Sequence, residues 1–304
     1  MPPRGRSFYF LLLVVACLMF AGQGTAIKHL GRHLGPLQIT FLPFTLATLA
    51  LLPLALRVRR TSGVRLRWTD WRQFIIAGVA GQVVTQLGFV AGVTRSLASN
   101  GAVLSLLLPV ISTLLAAIML GEKLTKLRVS ALATGLAGAL LLSAGNLRDS
   151  SFLNVNYLVG NVLIVLAMTG SAFYNVYAKS LFEKFQQIEV LVFSYVAAAV
   201  TGLGATLVAD PIQWSAFQSF TWQAWVAFAY QTLIAYSAAM LLFFAALKRL
   251  DVATASLSLY LLPVFGVVLA AVLLDERLSA VALAGAGIVL FATLLVVRYD
   301  TKST

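Results

Sequence analysis

Residues 95–124 read RSLASNGAVLSLLLPVISTLLAAIMLGEKL, and residues 249–278 read RLDVATASLSLYLLPVFGVVLAAVLLDERL. They align without a gap at an offset of 154, and 11 of the 30 positions are identical. Leu107, Leu108, Pro109 and Val110 fall on Leu261, Leu262, Pro263 and Val264. Glu122 and Leu124 fall on Glu276 and Leu278, with Lys123 on Arg277. A matched proline and a matched Glu-basic-Leu run are not what a shared apolar composition produces by chance. Towards the N-terminus, Ala16, Ala21 and Lys28 match Ala167, Ala172 and Lys179 at an offset of 151. Self-similarity at a fixed period marks a duplicated architecture. The chain therefore reads as two related halves, 1–147 and 148–304.

The repeated unit is built of membrane helices. Sixty percent of the residues are hydrophobic and 11% are charged, against about 25% charged in soluble domains. That composition excludes a soluble enzyme and a disordered chain. One cysteine, Cys17, excludes an intrachain disulfide framework and a cysteine-based zinc site. Stretches of 18 or more residues without Asp, Glu, Lys or Arg span 7–27, 33–56, 73–94, 96–121, 129–147, 150–178, 190–209, 211–247, 252–274 and 278–297. About 20 apolar residues in a helix cross a hydrocarbon core of about 30 Å. No stretch alternates as a barrel strand does. The polar openings at 150–156 and 211–221 read as loops, leaving helices near 157–178 and 222–247. The sequence thus predicts an all-α integral membrane protein of ten transmembrane helices. The first stretch also has the shape of a signal peptide, with Arg4 and Arg6 before it and Ala21, Gly22 and Gly24 at its end. Nine further stretches favour an uncleaved first helix.

With a cytoplasmic N-terminus, 17 of the 22 Lys and Arg lie inside and 5 outside. The positive-inside rule puts both termini in the cytoplasm. The run Arg57, Arg59, Arg60, Arg65, Arg67 and Arg72 reads as an orientation signal that also meets anionic lipid. The net charge of +12 needs no nucleic acid to explain it. Five helices per half is an odd number, so the second half enters the membrane inverted. Inverted repeats build secondary transporters, whose site lies near the midplane between the halves.

The repeated Pro-plus-acid segments and the paired helix ends at Lys28 and Lys179 resemble the EamA family of the drug/metabolite transporter superfamily. The resemblance covers residues 8 to 297. It implies movement of small metabolites, often amino acids outward, across a plasma membrane such as the bacterial inner membrane. In the second copy Asp275 stands where the family usually has Gly.

Polar and aromatic side chains inside apolar helices are the candidates for a site, because burying them unpaired is costly. Gln82, Thr85 and Gln86 share one face of the third helix. Gln82 lies near mid-helix, and its repeat partner at offset 154 is Tyr236. These two lead the substrate-binding candidates. Behind them come Gln23 with Thr25, Tyr174 and Tyr177 with Asn175, Tyr230 and Gln231, and Tyr260 with Ser258. Each polar side chain also has the simpler role of joining helices, and each tyrosine that of an interfacial anchor. Pro109 and Pro263 read as mid-helix kinks and possible hinges, and Gly88 and Gly92 as a packing seam.

The ten stretches contain no carboxylate, so no ion-coupling residue is evident, and downhill transport or exchange is expected. Glu122 and Glu276 read as structural, beside Lys123 and Arg277. Without a deep cation, phosphorylated solutes are disfavoured; Lys28 is expected at the outer mouth. His29 and His33 alone are a weak metal signal. Neither a catalytic constellation, an ATP-binding loop nor a cofactor fingerprint is present. The expected partners are a small-molecule substrate and the lipid bilayer; oligomeric state is not legible. Export of amino acids or related compounds leads. A broad drug exporter, and a non-transporting membrane enzyme or scaffold, are the alternatives.

Overall fold

The computed structural model describes residues 5–63, 66–143, 148, 154–212, 214–274 and 280–299. Glu276, Arg277 and Asp275 lie outside them. We number the helices α1 (Arg6–Leu30), α2 (Pro36–Thr61), α3 (Trp68–Val93), α4 (Asn100–Leu120), α5 (Lys126–Leu142), α6 (Val155–Leu181), α7 (Gln187–Ala209), α8 (Trp222–Leu247), α9 (252–274) and α10 (Ala280–Tyr299). Among the described residues there is no strand. Among the described residues, seven helices are long and apolar enough to cross a membrane: α1 to α4 and α6 to α8. The other three are shorter or broken. Helix α5 has 17 residues and starts on Lys126. Helix α9 is interrupted by a tighter turn at Ser258–Tyr260.

Helix starts follow local chemistry. Thr125, Asn154 and Thr221 cap α5, α6 and α8 by accepting from backbone N–H groups of the first turn. Glu189 accepts from the Gln186 N–H at 2.9 Å, and Asp70 from the Arg67 N–H at 2.7 Å, fixing the starts of α7 and α3. At the end of α4, Gly121 takes φ +67°, a left-handed cap that a side chain disfavours.

Pro109 and Pro263 sit at breaks rather than within smooth kinks, unlike Pro43 and Pro53 inside α2. A turn at Leu106–Leu107 precedes Pro109, and the Ser258–Tyr260 turn precedes Pro263. Each proline thus stands in the first turn of a fresh helical segment, where its missing N–H costs little. The spacing of these features repeats. Trp68 and Trp222, and Ala98 and Val252, are helix starts 154 residues apart; Pro36 and Gln187 are 151 apart.

Packing repeats as well. Helix α6 lies along α3 and α4, and α1 lies along α8 and α9. Helix α2 packs on α7, α5 on α10, and α4 on α9. Shifting every helix number by five returns the same set of pairs. Gly88 and Gly92 let α3 meet α6 closely, since a Cβ at Gly92 would fall 2.9 Å from the Gly160 carbonyl. In the core, Cys17 of α1 donates its thiol to the Ser258 carbonyl of α9 at 3.3 Å. Ile118, Val155, Val200 and Val208 point outward and are more than two-thirds exposed. Water would penalise such a surface, and a bilayer does not. The protein is an integral membrane protein.

Candidate functional site: a neutral cavity between two helix groups

The group α3, α4 and α6 faces the group α1, α8 and α9 across a cavity of about 460 Å³, with α7 at its base. Six of the ten substrate-binding candidates line it: Gln23, Gln82, Thr85, Gln86, Tyr174 and Tyr236. Gln82 and Tyr236 each sit in a wide π-type turn, within Ala77–Val83 of α3 and Tyr230–Ala239 of α8. Such turns insert a residue into the helical ladder and re-aim the side chains around them. Thr85 donates its hydroxyl back to the Gly81 carbonyl at 2.7 Å. The Tyr174 and Ser194 hydroxyls are 2.9 Å apart, and Gln82 also approaches Tyr174.

Four candidates lie elsewhere. Tyr177 stacks on Phe173 with ring centroids 5.2 Å apart. Tyr230 donates to the Met19 carbonyl at 2.5 Å and lines a separate apolar crevice between α1, α8 and α9. Gln231 is fully buried away from the cavity, and its amide has no partner. Tyr260 is buried against Gly135 of α5.

The cavity also has residues that depth in a helix did not single out. Tyr195 of α7 lines it, its ring tilted against Phe44 of α2 at 4.2 Å between centroids. Phe44 in turn meets Tyr236 at 5.2 Å. A signal for this pair existed: the 151 offset that matches Lys28 to Lys179 also puts Phe44 on Tyr195. Gln23, Gln86, Asn175, Tyr195 and Tyr236 have no intramolecular side-chain hydrogen bond among the described residues, and all five line the cavity. None of the lining residues is charged. The wall can therefore offer amides, hydroxyls and aromatic faces to a solute, and no fixed ionic partner.

The two ends of the bundle differ. At one end, the Glu122 carboxylate accepts from the Val252 N–H at 2.7 Å and the Ala253 N–H at 3.1 Å, at the start of α9. Its partners are thus backbone amides of α9, not the adjacent Lys123. Burial pushes the Glu122 carboxyl above its usual range; the α9 amides and Lys179 pull the other way, and Asp251 reinforces the rise. Lys179 of α6 donates to the Leu247 carbonyl at 2.7 Å and the Leu250 carbonyl at 2.5 Å. Arg128 of α5 pairs with Asp251. At the other end Lys28 is exposed and has no partner among the described residues. His33 there meets the Ser219 hydroxyl at 3.1 Å. Helices α2 and α7 are tied at both ends: Gln38 donates to Asp210 at 2.9 Å, and Arg59 pairs with Glu189 at 3.1 Å.

Apolar spanning helices enclosing a neutral polar cavity define a membrane transporter. The sequence profile of the EamA-like transporter family matches residues 7–144 and again 158–298, and the chain belongs to that family. An uncharacterised transporter of Archaeoglobus fulgidus is 24% identical over 301 residues, covering 95% of this chain and 98% of that protein. A protein of Streptantibioticus cattleyicolor named a probable terminal-alkyne amino-acid exporter is 25% identical over 294 residues, covering 96% and 94%. A crystal structure with 19% identity superposes at a TM-score of 0.82 over 98% of this chain and 100% of that one, a likeness of fold.

Proposed function

We propose that this transporter exchanges neutral or zwitterionic amino acids, or close relatives, by alternating access, and that its cellular direction is export. Residues 1–147 and 148–304 form two inverted five-helix repeats in this reading. All ten helices then cross a plasma membrane, with both termini and the Glu122 end in the cytoplasm. The repeated helix starts, the doubled family match and the exchange symmetry of the packing support it. The observation that carries the substrate class is the cavity wall, with amides and tyrosines but no charge. Its volume lies in the range of small-molecule sites. The name of the Streptantibioticus relative points the same way. Gln82, Gln86 and Asn175 take the polar head of the solute in this assignment. Tyr195 and Tyr236, backed by Phe44, take its apolar side chain.

Counterflow into proteoliposomes tests the proposal. Vesicles loaded with one unlabelled amino acid each should accumulate labelled tryptophan or threonine without an ion gradient. Gln82→Ala and Tyr236→Ala should each slow that uptake by about tenfold, the effect of losing one buried hydrogen bond or ring contact. Their melting temperatures should stay within a few degrees of the parent. Flat traces for every amino acid, from folded protein, would remove the amino-acid reading and favour a drug exporter. Wild-type uptake in both variants would remove the cavity assignment.

A further inference from the structure

We infer that Glu122 and Lys179 form a latch that closes one end of the cavity and must release in each transport cycle. This rests on the alternating-access reading and adds functional residues outside the cavity. Both side chains belong to the group α3, α4 and α6. All four of their backbone partners belong to α8, α9 or the turn between them. The latch therefore spans the same interface that the cavity separates further along. It is made with the last carbonyls of α8 and the first amides of α9. A cation suits the former and an anion the latter, because helix ends carry opposite partial charges. Arg128 and Asp251 brace the same turn from α5.

Three observations separate a latch from ordinary helix capping. Glu122 and Lys179 cap helices of the opposite group, 130 and 68 residues away, rather than their own. Next, Lys28 stands where Lys179 stands in the other half, and it is exposed and unpaired. The sequence thus supplies an equivalent cation at both ends, and this conformation uses one. Finally, α2 and α7 are tied at both ends at once by Gln38–Asp210 and Arg59–Glu189. Ties of that kind suit a fixed seam. At the latched joint, by contrast, Lys179 is engaged while its counterpart Lys28 has no partner among the described residues, as suits a joint that opens. Equivalent joints at the two ends, closed in turn, are what exchange between two states requires.

The test labels Ser171→Cys, which lies on the cavity wall, with a membrane-impermeant maleimide in vesicles of each orientation. The full-length chain is used. With the latch intact, the thiol should react from the Lys28 side only. Glu122→Ala and Lys179→Met should each speed reaction from the Glu122 side about tenfold, the population shift expected for losing charge-assisted hydrogen bonds. Glu122→Gln keeps one acceptor oxygen and should fall between. Lys28→Ala should not raise labelling from the Glu122 side. Should a latch variant fail to fold, a Glu122→Cys/Ala253→Cys cross-link is the second route. It should hold the cavity open to the Lys28 side and stop counterflow. Unchanged labelling in folded Glu122→Ala and Lys179→Met, or full exchange in the cross-linked protein, would overturn the inference. Labelling needs no substrate, so flat counterflow for every amino acid would sink the amino-acid reading and leave the latch test standing.

Discussion

Glu122 shows how one carboxyl can carry a conformational preference. Burial favours its neutral form, while the α9 amides and Lys179 favour the charged one, and burial prevails. A carboxyl whose pKa is raised in the folded, latched form stabilises that form when protonated. The contribution is complete below the ordinary glutamate range and fades as pH rises through the elevated value. The melting temperature of the natural chain, relative to Glu122→Gln, should therefore rise as pH falls from neutral towards the ordinary glutamate range. An unchanged difference across that range would refute the assignment. At this scale the sequence was informative about depth and blind to azimuth. Gln82, Thr85 and Gln86 are conspicuous because amides and hydroxyls are costly in an apolar helix. Tyr177, Tyr230 and Tyr260 look equally good on paper. A tyrosine serves a cavity, an interface or a buried joint, and only packing decides which. Gln231 is the sharpest case: one residue from Tyr230, it is buried without a partner and away from the cavity.

At the scale of elements, small residues set how closely helices approach. A Cβ at Gly202 of α7 would fall 2.0 Å from the Phe41 ring of α2. Gly202→Ala should cost about 1–3 kcal/mol through overpacking, seen as a lower melting temperature. Two residues on, Gly204 has nothing within 4 Å of that position. Gly204→Ala should be neutral or stabilising by up to about 1 kcal/mol, since alanine is the better helix former. The pair separates seam packing from helix propensity within one helix. The sequence located most helices from charge alone, because a charged side chain ends an apolar run. It misjudged the prolines. Pro109 and Pro263 looked like kinks within continuous helices, yet the chain breaks just before each. Hydropathy does not register a local change of turn type.

Across the whole molecule, the seam between α2 and α7 and the joint between α4 and α9 should respond differently to restraint. A short bifunctional thiol reagent across Arg59→Cys and Glu189→Cys should leave exchange within about twofold of the unlinked protein, since a fixed seam does not reorganise between states. Loss of exchange there would mean that α2 and α7 also move. The offset identifies matched residues within the sequence. Which matched residues meet was not legible there. Phe44 and Tyr195 meet ring against ring, while Lys28 and Lys179 lie at opposite ends. An alignment carries no information about where the symmetry axis passes.

Cys17, the one sulfur nucleophile in the chain, is fully buried, and its thiol hydrogen-bonds to α9 from α1. Both helices belong to the same side of the cavity, so the sulfur sits inside one helix group and not at the latched joint. A bulky alkylating reagent reaches that sulfur only in moments when α1 and α9 part. The natural, unsubstituted chain therefore contains its own clock: the half-time of Cys17 alkylation counts those openings. A solute that changes how often they occur would register by mass alone, without a label and without anyone knowing beforehand what the solute is.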